Sequence, residues 1–327
     1  MTVQEALQVY KIPFAITEHN TAAGCESFRL APVGSSATIT RLKTRLDDII
    51  AATGQPLEVL NDCSGIYLRT ITPTLYNYMD YNGYIDYNSS DIPYLVGVGQ
   101  SGIVTDTFEK ARHLLIAGTT GSGKSVFMHD LIISTLCNQH CITAMIDIKR
   151  VEFGIYKDVA TVENEIPGAV ALTSYFVESM LKRYEIMEKH GINNYNDLVA
   201  IAPDTKRYIL IVDELSDLIS DKKSRAALIP KFLRIAQLGR AAGVHIVIAT
   251  QRPDSQVING TLKANIPSRM AFQTLSAIDS RIILEQSGAE RLHGSGDGLY
   301  SSNGSIPERV QAPYIDLEQI KRELFRR

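Results

Sequence analysis

Eight consecutive residues, Gly118 to Ser125 (GTTGSGKS), combine a glycine-rich run with a lysine and a hydroxyl at its end. The run matches the pattern GxxxxGK[ST], in which backbone N–H groups exposed by the glycines wrap around phosphates. Lys124 has the charge to neutralise β- and γ-phosphates, and the Ser125 hydroxyl is a ligand type that suits Mg²⁺. The pattern therefore predicts a site for ATP and Mg²⁺. The residues expected to contact the nucleotide are Gly118, Thr119, Thr120, Gly121, Ser122, Gly123, Lys124, Ser125 and Val126.

A pair of carboxylates, Asp213 and Glu214, follows the apolar run YILIV at 208–212. An apolar run of this length predicts a buried strand, so both carboxylates fall at its carboxyl end, beside the phosphate loop in open α/β sheets. Asp213 is then expected to hold Mg²⁺ through water. Glu214 is expected to polarise the attacking water as general base. Such a pair is common after apolar runs, and its position downstream of a complete phosphate loop makes it informative.

Polar residues also follow two further apolar runs. Gln251 comes after VHIVIAT, where its side chain can contact both the γ-phosphate and the attacking water; the alternative is a strand-end amide that bonds the backbone. Asp147 and Lys149 follow Ile142–Ile146 and fall on the same rim, where ligands bind in open α/β sheets. Lys149 has two interpretations, a phosphate contact or an ion pair with Glu152.

Three arginines are candidates for a residue supplied to a neighbouring subunit. Arg240 ends a predicted helix just before a core strand, and Arg269 and Arg281 follow downstream. Phosphoryl transfer often uses an arginine from a neighbour, which makes hydrolysis depend on a subunit contact. The residue pattern by itself leaves the choice open, because each arginine also fits a solvated surface position.

These residues need a scaffold that brings strand ends together, and the chain from residue 92 onward predicts one. Near-continuous apolar strands alternate with amphipathic helices, which is typical of a parallel sheet covered on both faces. The fold class is therefore α/β, with a mostly parallel sheet. The predicted strands are His113–Ala117, Ile142–Ile146, Tyr208–Val212 and Val244–Ala249; the predicted helices are Ser125–Leu136, Ala169–His190 (ended by Gly191) and Ala226–Ala242 (ended by Gly243).

Four segments are expected along the chain. Residues 1–75 predict a small α+β domain, with strands at Ser27–Leu30 and Tyr67–Thr70 and a helix over Ile39–Ala52 whose apolar face holds Leu42, Leu46, Ile49 and Ile50. Residues 76–91 are rich in tyrosine, and the absence of Lys and Arg there favours a linker or hairpin turning at Asn82–Gly83 over a base-stacking platform. Residues 92–315 form the expected ATPase domain, and residues 316–327 a helical tail.

Composition excludes several classes of protein. Hydrophobic residues make up 45% and charged residues 21% of the 327, and no run approaches the 18 apolar residues that a membrane span needs. Without such a run, direct insertion into a membrane is not expected. Four cysteines without a CxxC indicate reduced thiols and a cytoplasmic protein. Cys137, His140 and Cys141 lack a fourth zinc ligand, so ordinary buried cysteines are favoured. The net charge of −3 neither supports nor excludes a nucleic-acid partner.

Several stretches together resemble the motor of FtsK/SpoIIIE-type DNA translocases. They are GTTGSGKS (118–125), IDIKRVEFGIY (146–156), IVDELSDL (211–218), RAAGVHIVIATQRP (240–253), TLKANIPSRMAFQ (261–273) and IDSRIILEQSGAERLHGSGDGLY (278–300). The similarity runs from about Ile92 to Tyr314, and residues 27–53 resemble more weakly the small α domain that precedes this motor.

The resemblance implies a RecA-like core that assembles as a hexameric ring around double-stranded DNA. It implies the roles given above for Lys124, Ser125, Asp213 and Glu214, and a sensor role for Gln251. It also implies that Arg240 is the finger acting on the neighbouring subunit, while Arg269 and Arg281 remain candidates for the interface.

The sequence departs from the family pattern at both ends. Members that pump chromosomes carry an N-terminal membrane region and a C-terminal winged helix that reads orienting DNA sequences, whereas this sequence ends at Arg327. This departure puts septal anchoring and sequence-directed movement in doubt. A motor of a mobile element, plasmid or phage fits the pattern, and so does a shortened piece of a longer protein. Three alternatives stay open: a protein-export motor of the type VII secretion kind, a conjugative or packaging ATPase, and a non-hydrolysing module that retains the fold.

Overall fold

The structure is a computed structural model that describes residues 1–22, 25–55, 57–62, 65–70, 85–99, 102–254, 258 and 260–325. The chain forms two compact units, Met1–Leu75 and Tyr76–Arg327. The hairpin predicted at Asn82–Gly83 lies outside the described residues. Within the described ranges, no helix is both long and apolar enough to cross a membrane.

The first unit is an antiparallel sheet with three helices. Its strands pair in the order β1-β2-β4-β3, and one apolar cluster that includes Leu7, Phe14, Leu30 and Leu68 forms its core. The elements are α1 (Val3–Val9), β1 (Phe14–Ala22), β2 (Cys25–Pro32), α2 (Ile39–Thr44), α3 (Leu46–Thr53), β3 (Leu57–Asp62) and β4 (Gly65–Thr70).

The single helix predicted over Ile39–Ala52 is wrong in one respect, because the structure divides it at Arg45. Arg45 has φ −100° and ψ 6°, outside the helical range, and it separates α2 from α3. The Thr44 hydroxyl donates to the Thr40 carbonyl at 2.8 Å, a type of side-chain bond that bends helices. The predicted apolar face is nevertheless buried, since Leu42, Leu46 and Ile49 lie in the core.

The second unit is built on a ten-stranded sheet in the order β6-β5-β14-β13-β12-β7-β11-β10-β8-β9. The six strands from β12 to β9 are parallel, and helices pack on both faces, so the α/β prediction is confirmed. The strands are β5 (Pro93–Gly99), β6 (Gly102–Thr107), β7 (Leu114–Ala117), β8 (Cys141–Ile146), β9 (Thr161–Glu163), β10 (Arg207–Val212), β11 (Val244–Thr250), β12 (Ser268–Phe272), β13 (Asp297–Ser301) and β14 (Glu308–Gln311). The helices are α4 (Phe108–Ala111), α5 (Lys124–Cys137), α6 (Ile166–His190), α7 (Tyr195–Ile201), α8 (Leu215–Leu218), α9 (Lys222–Ala242), α10 (Gly260–Asn265), α11 (Ala277–Leu284) and α12 (Leu317–Phe325).

The two long helices end where glycine permits a left-handed backbone. Gly191 (φ 67°) follows α6, and Gly243 (φ 65°) follows α9, each donating its N–H to carbonyls of the last helical turn. The stop after α9 leads directly into β11, which lies next to β7 and β10. The carboxyl ends of these three parallel strands therefore meet at one edge of the sheet.

The antiparallel side of the sheet, formed by β5, β6, β13 and β14, was not predicted from the sequence. Its strands, PYLVGVG, GIVTDT, DGLYS and ERVQ, interrupt their apolar residues with glycine or with polar residues, so they lack the continuous apolar runs of the parallel core. The C-terminal helix α12 lies against α5, and its Ile320 and Leu324 belong to the same apolar core as Leu131.

Candidate functional site

The phosphate-loop sequence connects the carboxyl end of β7 to the start of α5. Gly121 (φ 79°) and Gly123 (φ 104°) adopt backbone conformations that favour glycine. The loop is tied to the neighbouring strands, because Gly118 N–H donates to the Thr250 carbonyl (3.3 Å) and Thr119 N–H to the Gln273 carbonyl (2.9 Å). The amino end of the 14-residue helix α5 follows, so backbone N–H groups and the helix dipole favour an anion here.

A turn from the antiparallel side of the sheet supports this loop from behind. Ser295 N–H donates to the Gly121 carbonyl (3.3 Å), and Gly296 N–H donates to the Ser122 carbonyl (2.8 Å). A Cβ at Gly123 would lie 2.4 Å from the Gly296 nitrogen, so only glycine permits this approach. Sequence reasoning missed Gly296, because the contact joins residues more than 170 positions apart.

Lys124 and Asp213 form a nearly buried ion pair at the mouth of the loop. Lys124 Nζ lies 3.2 Å from Asp213 Oδ1 and 3.3 Å from the Asp213 carbonyl oxygen. Burial raises the pKa of the Asp213 carboxyl, Lys124 opposes that rise, and the nearby Glu152 and Asp147 carboxylates add to it. Asp213 follows β10, as predicted for a carboxylate at the carboxyl end of a buried strand.

The Ser125 hydroxyl donates to Glu152 Oε1 at 2.8 Å rather than to Asp213. Glu152 lies in the loop after β8, and hydrogen bonding from His129 is the largest effect that lowers the pKa of its carboxyl. The Ser125 hydroxyl and the Asp213 carboxylate are oxygen ligands of the kind that Mg²⁺ prefers. Among the described residues no group of three His, Cys, Asp or Glu side chains could hold a metal by itself. Mg²⁺ commonly needs only one or two carboxylates when phosphates and water complete its shell, so these residues fit it.

Glu214 is held by the strand next to its own. Its Oε1 accepts from the Thr250 hydroxyl at 2.7 Å, and its Oε2 accepts from Gln251 N–H at 2.8 Å. The same carboxylate also accepts from Ser216 N–H at the start of α8 (3.3 Å). The side chain is 7% exposed, so its position is set by these three donors. Thr250 is a second residue that sequence reasoning missed.

Gln251 lies beside the phosphate loop, where its Oε1 accepts from the Thr120 hydroxyl at 3.3 Å. A cleft of about 440 Å³ opens here and is lined in part by Gly118, Thr119 and Gln251. That volume is within the range of about 300–1,000 Å³ for small-molecule pockets. Ser122 is buried, and the side chain of Val126 packs on the apolar core, so each offers chiefly its backbone N–H.

Arg240 lies away from these residues within one chain. It is in the last turn of α9, just before β11 begins, whereas the phosphate loop is at the opposite ends of the parallel strands. Seven residues of β11 at about 3.3 Å each put roughly 20 Å between the two positions. Arg240 is half exposed and lies 3.4 Å from Glu109 Oε1. Its side chain therefore faces outward and cannot serve the site of its own chain.

The other two arginines differ in their surroundings. Arg269 is the second residue of β12, at the same edge as Arg240, and its guanidinium pairs with Glu285 at 3.2 Å. Arg281 is exposed on α11, the helix that borders the cleft beside the phosphate loop.

The rim residues after β8 have structural partners. Asp147 is 1% exposed, and its two oxygens accept the N–H groups of Arg150, Glu152 and Phe153 at 2.9–3.0 Å. Lys149 pairs with Asp217 at 2.9 Å, so the pair with Glu152 considered from the sequence is not formed. Asp217 is 68 residues downstream, which is why a local pattern did not reveal it.

Comparison with known proteins places this chain in a family. Residues 81–255 match the FtsK/SpoIIIE family. The chain is 33% identical to DNA translocase FtsK of Caldanaerobacter subterraneus subsp. tengcongensis over 98% of this chain and 47% of that protein. It is 41% identical to DNA translocase FtsK of Clostridium acetobutylicum over 72% of this chain and 32% of that protein. The chain thus spans about a third to a half of the length of these relatives.

Solved structures with the same architecture include a conjugation coupling protein and a type VII secretion ATPase. The pCW3 conjugation coupling protein TcpA, solved with ATPγS, superposes with a TM-score of 0.74 at 25% identity and covers 99% of this chain and 98% of that one. The type VII secretion ATPase EccC of Thermomonospora curvata superposes with a TM-score of 0.58 at 20% identity over 75% of this chain and 32% of that one, a likeness of fold alone. Because the family match covers more than half of the 327 residues, the protein belongs to the FtsK/SpoIIIE family of P-loop ATPases.

Proposed function

We propose that this protein is an ATP-driven translocase of double-stranded DNA that works as a homo-oligomeric ring, with six subunits as the expected number. One observation carries the proposal: Lys124, Ser125, Asp213 and Glu214 meet at one edge of the sheet, while Arg240 projects from the opposite edge. A site divided in this way is complete only when two subunits meet.

Each residue has a separate task in the proposed hydrolysis. When the nucleotide binds, the Lys124 ammonium leaves Asp213 and pairs with the β- and γ-phosphates. The backbone N–H groups of the phosphate loop donate hydrogen bonds to the phosphate oxygens. Mg²⁺, when bound at Ser125 and Asp213, neutralises charge on the phosphates. Glu214 accepts a proton from the attacking water, and Gln251 contacts that water and the terminal phosphate.

The proposed role of Arg240 follows from distance and exposure. Its guanidinium lies near the amino ends of the parallel strands, away from the nucleotide site of its own chain, and it is half exposed. A neighbouring subunit that docks its carboxyl-end edge against this side receives an arginine that stabilises charge in the transition state. Hydrolysis then depends on assembly, which is the property a ring motor needs.

Double-stranded DNA as the cargo is supported by the relatives, which are named DNA translocases and share 33–41% identity with this chain. The decisive experiment measures the ATPase rate with long duplex DNA, with short duplex DNA and without DNA, in wild type and in Lys124→Ala. Strong stimulation that grows with duplex length and disappears in Lys124→Ala supports the proposal. A basal ATPase rate that no nucleic acid changes would refute DNA as the cargo.

A second candidate, DNA transfer between cells, is favoured by one observation. The conjugation coupling protein TcpA matches this chain over nearly the whole of both chains. Both candidates involve ATP-driven work on DNA, so they differ in process rather than in chemistry. In the organism that carries the gene, loss of intercellular DNA transfer with normal chromosome segregation in a Lys124→Ala strain favours coupling, and the reverse result favours chromosome transport.

A further inference from the structure

The hydroxyl of Ser125 is oriented by a residue to which the phosphate-loop pattern assigns no role. In the structure Ser125 Oγ donates its one proton to Glu152 Oε1 at 2.8 Å. The carboxylate expected to share the cation, Asp213, is instead engaged by Lys124 at 3.2 Å. The direction in which Ser125 presents its lone pairs is therefore set by Glu152.

The backbone around Glu152 is held firmly. Asp147 Oδ2 accepts from the N–H groups of Glu152 (3.0 Å) and Phe153 (2.9 Å), and Asp147 Oδ1 accepts from Arg150 N–H (2.9 Å). Phe153 is 1% exposed and belongs to the apolar core under the sheet. The loop after β8 therefore presents the Glu152 carboxylate to α5 from a fixed position.

The second oxygen of Glu152 also faces α5. His129 Nε2 lies 3.5 Å from Glu152 Oε2, and His129 Nδ1 lies 2.8 Å from the Tyr156 hydroxyl. Ser125 and His129 are four residues apart, so they share one face of the helix. The carboxylate is thus fixed at both oxygens, one toward Ser125 and the other toward His129.

A hydroxyl that ligates a cation must turn its proton away and offer a lone pair. We propose that Glu152 is a positioning residue of the divalent-cation site, which acts through Ser125 by accepting the Ser125 proton so that a lone pair faces the cation. This inference rests on the proposed function, since it requires that Ser125 bind the cation of a bound nucleotide. Outer partners that orient metal ligands in this manner typically contribute about 10- to 100-fold to metal affinity.

The test is a titration of Mn²⁺, a spectroscopic substitute for Mg²⁺, followed by electron paramagnetic resonance with the full chain and ATPγS. Glu152→Leu removes the acceptor and should weaken Mn²⁺ binding about 10- to 100-fold. Glu152→Gln retains an oxygen that can accept the Ser125 proton. Its affinity for Mn²⁺ should therefore lie between that of Glu152→Leu and that of wild type. Binding of ATPγS in the presence of EDTA should remain unchanged in both variants.

Glu165→Leu is the matched control, since Glu165 is an exposed carboxylate nearby in the sequence that pairs with Arg150 at 2.9 Å. It should bind Mn²⁺ as wild type does. In a Ser125→Ala background, Glu152→Leu should cause no further loss, because the positioning role acts through the missing hydroxyl. Two results would overturn the inference. One is a double variant that binds Mn²⁺ more weakly than Ser125→Ala alone, and the other is a Glu152→Leu protein that binds Mn²⁺ as tightly as wild type. Failure of wild type itself to bind Mn²⁺ with ATPγS counts against the proposed function instead.

Discussion

Lys124 Nζ and Asp213 Oδ1 lie 3.2 Å apart, and the two side chains expose only 3% and 5% of their surface. The lysine proposed for phosphate and the aspartate proposed for the cation therefore neutralise each other. Burial raises the pKa of Asp213 in spite of Lys124, which indicates that the pair does not fully compensate the lost hydration of the carboxylate. Triphosphate and a divalent cation would supply each residue with a new partner of opposite charge.

The first prediction concerns the energy of this pair. Lys124→Met should lower the free energy of unfolding by about 3–5 kcal/mol, because it leaves Asp213 as an uncompensated buried charge. Adding Asp213→Asn should recover a large part of that loss. Urea unfolding of the two single variants and the double variant gives the coupling energy directly.

The control pair is Lys149 and Asp217, which lie 2.9 Å apart but expose 41% and 44% of their side chains. Lys149→Met with Asp217→Asn should give a coupling energy of only about 0–1 kcal/mol, since exposed pairs are screened by water. Equal coupling in the two pairs would contradict the view that burial makes Lys124 and Asp213 special.

The parallel core and the phosphate loop were predictable from the sequence for a shared reason: their signals are local. A buried strand such as β10 is a continuous apolar run, and Gly243 marks the end of α9 within one residue. The phosphate loop is eight consecutive residues whose backbone makes the site. Such features need no knowledge of which distant segments meet.

The residues that the sequence did not reveal are those defined by distant contacts. Glu152 contacts Ser125, 27 positions away in the sequence, and Thr250 contacts Glu214, 36 positions away. Gly296 resembles any loop glycine until its N–H is seen on the Ser122 carbonyl. Their residue types are unremarkable at these positions, and only the order of strands in the sheet makes them neighbours of the site.

The second prediction tests whether Thr250 positions Glu214. Thr250→Val removes the hydroxyl that lies 2.7 Å from Glu214 Oε1. The kcat of ATP hydrolysis should fall at least about tenfold, a part of the 10²–10⁴ that a general base contributes. The Kd for ATPγS should not change, because Thr250 is proposed to act through Glu214 and not on the nucleotide. Steady-state kinetics and a binding titration measure both quantities.

Thr250→Ser should restore most of the lost rate, since serine keeps the hydroxyl. Thr173→Val is the matched control, because Thr173 is a buried threonine in α6 whose hydroxyl donates to the Ala169 carbonyl at 2.7 Å, away from the phosphate loop. If Thr250→Val hydrolyses ATP at the wild-type rate, Glu214 does not depend on this contact.

The third prediction concerns acid stability, which two buried histidines should limit. Burial lowers the pKa of His113 from 6.5 to about 3, with Arg112 acting in the same direction. Burial, followed by Arg207, lowers the pKa of His245 well below its ordinary value. The His245 ring is committed as a neutral species, since its Nδ1 donates to the Arg112 carbonyl and its Nε2 accepts from Arg207.

Because both pKa values are depressed in the folded state, only the unfolded chain takes up these protons below pH 6.5. The stability contributed by neutral histidine is therefore complete above pH 6.5 and is lost as the pH falls from there towards 3. Each histidine should add a slope of up to about 1.4 kcal/mol per pH unit to the free energy of unfolding. The free energy of unfolding, measured with urea between pH 6.5 and 4.5, should fall less steeply with falling pH in His113→Gln than in wild type. His190→Gln changes an exposed histidine and serves as the control, with the wild-type slope expected. An unchanged slope in His113→Gln would contradict the assignment.

The last prediction tests whether Arg240 completes the site of a neighbouring subunit. Arg240→Ala and Glu214→Gln proteins should each lose nearly all DNA-stimulated ATPase activity, since one lacks the arginine and the other lacks the base. Mixed in equal amounts, they should regain part of the activity, because some contacts then join an intact Glu214 to an intact Arg240 of the next subunit. Arg234→Ala, which removes an exposed arginine from the same helix, should remain active alone. Mixtures as inactive as either parent, in assemblies shown to exchange subunits, would exclude a role across the interface, and an active Arg240→Ala protein would exclude any role in hydrolysis. The roughly 20 Å between Arg240 and the phosphate loop of its own chain makes recovery within a single subunit impossible, so any recovered activity must come from a shared site.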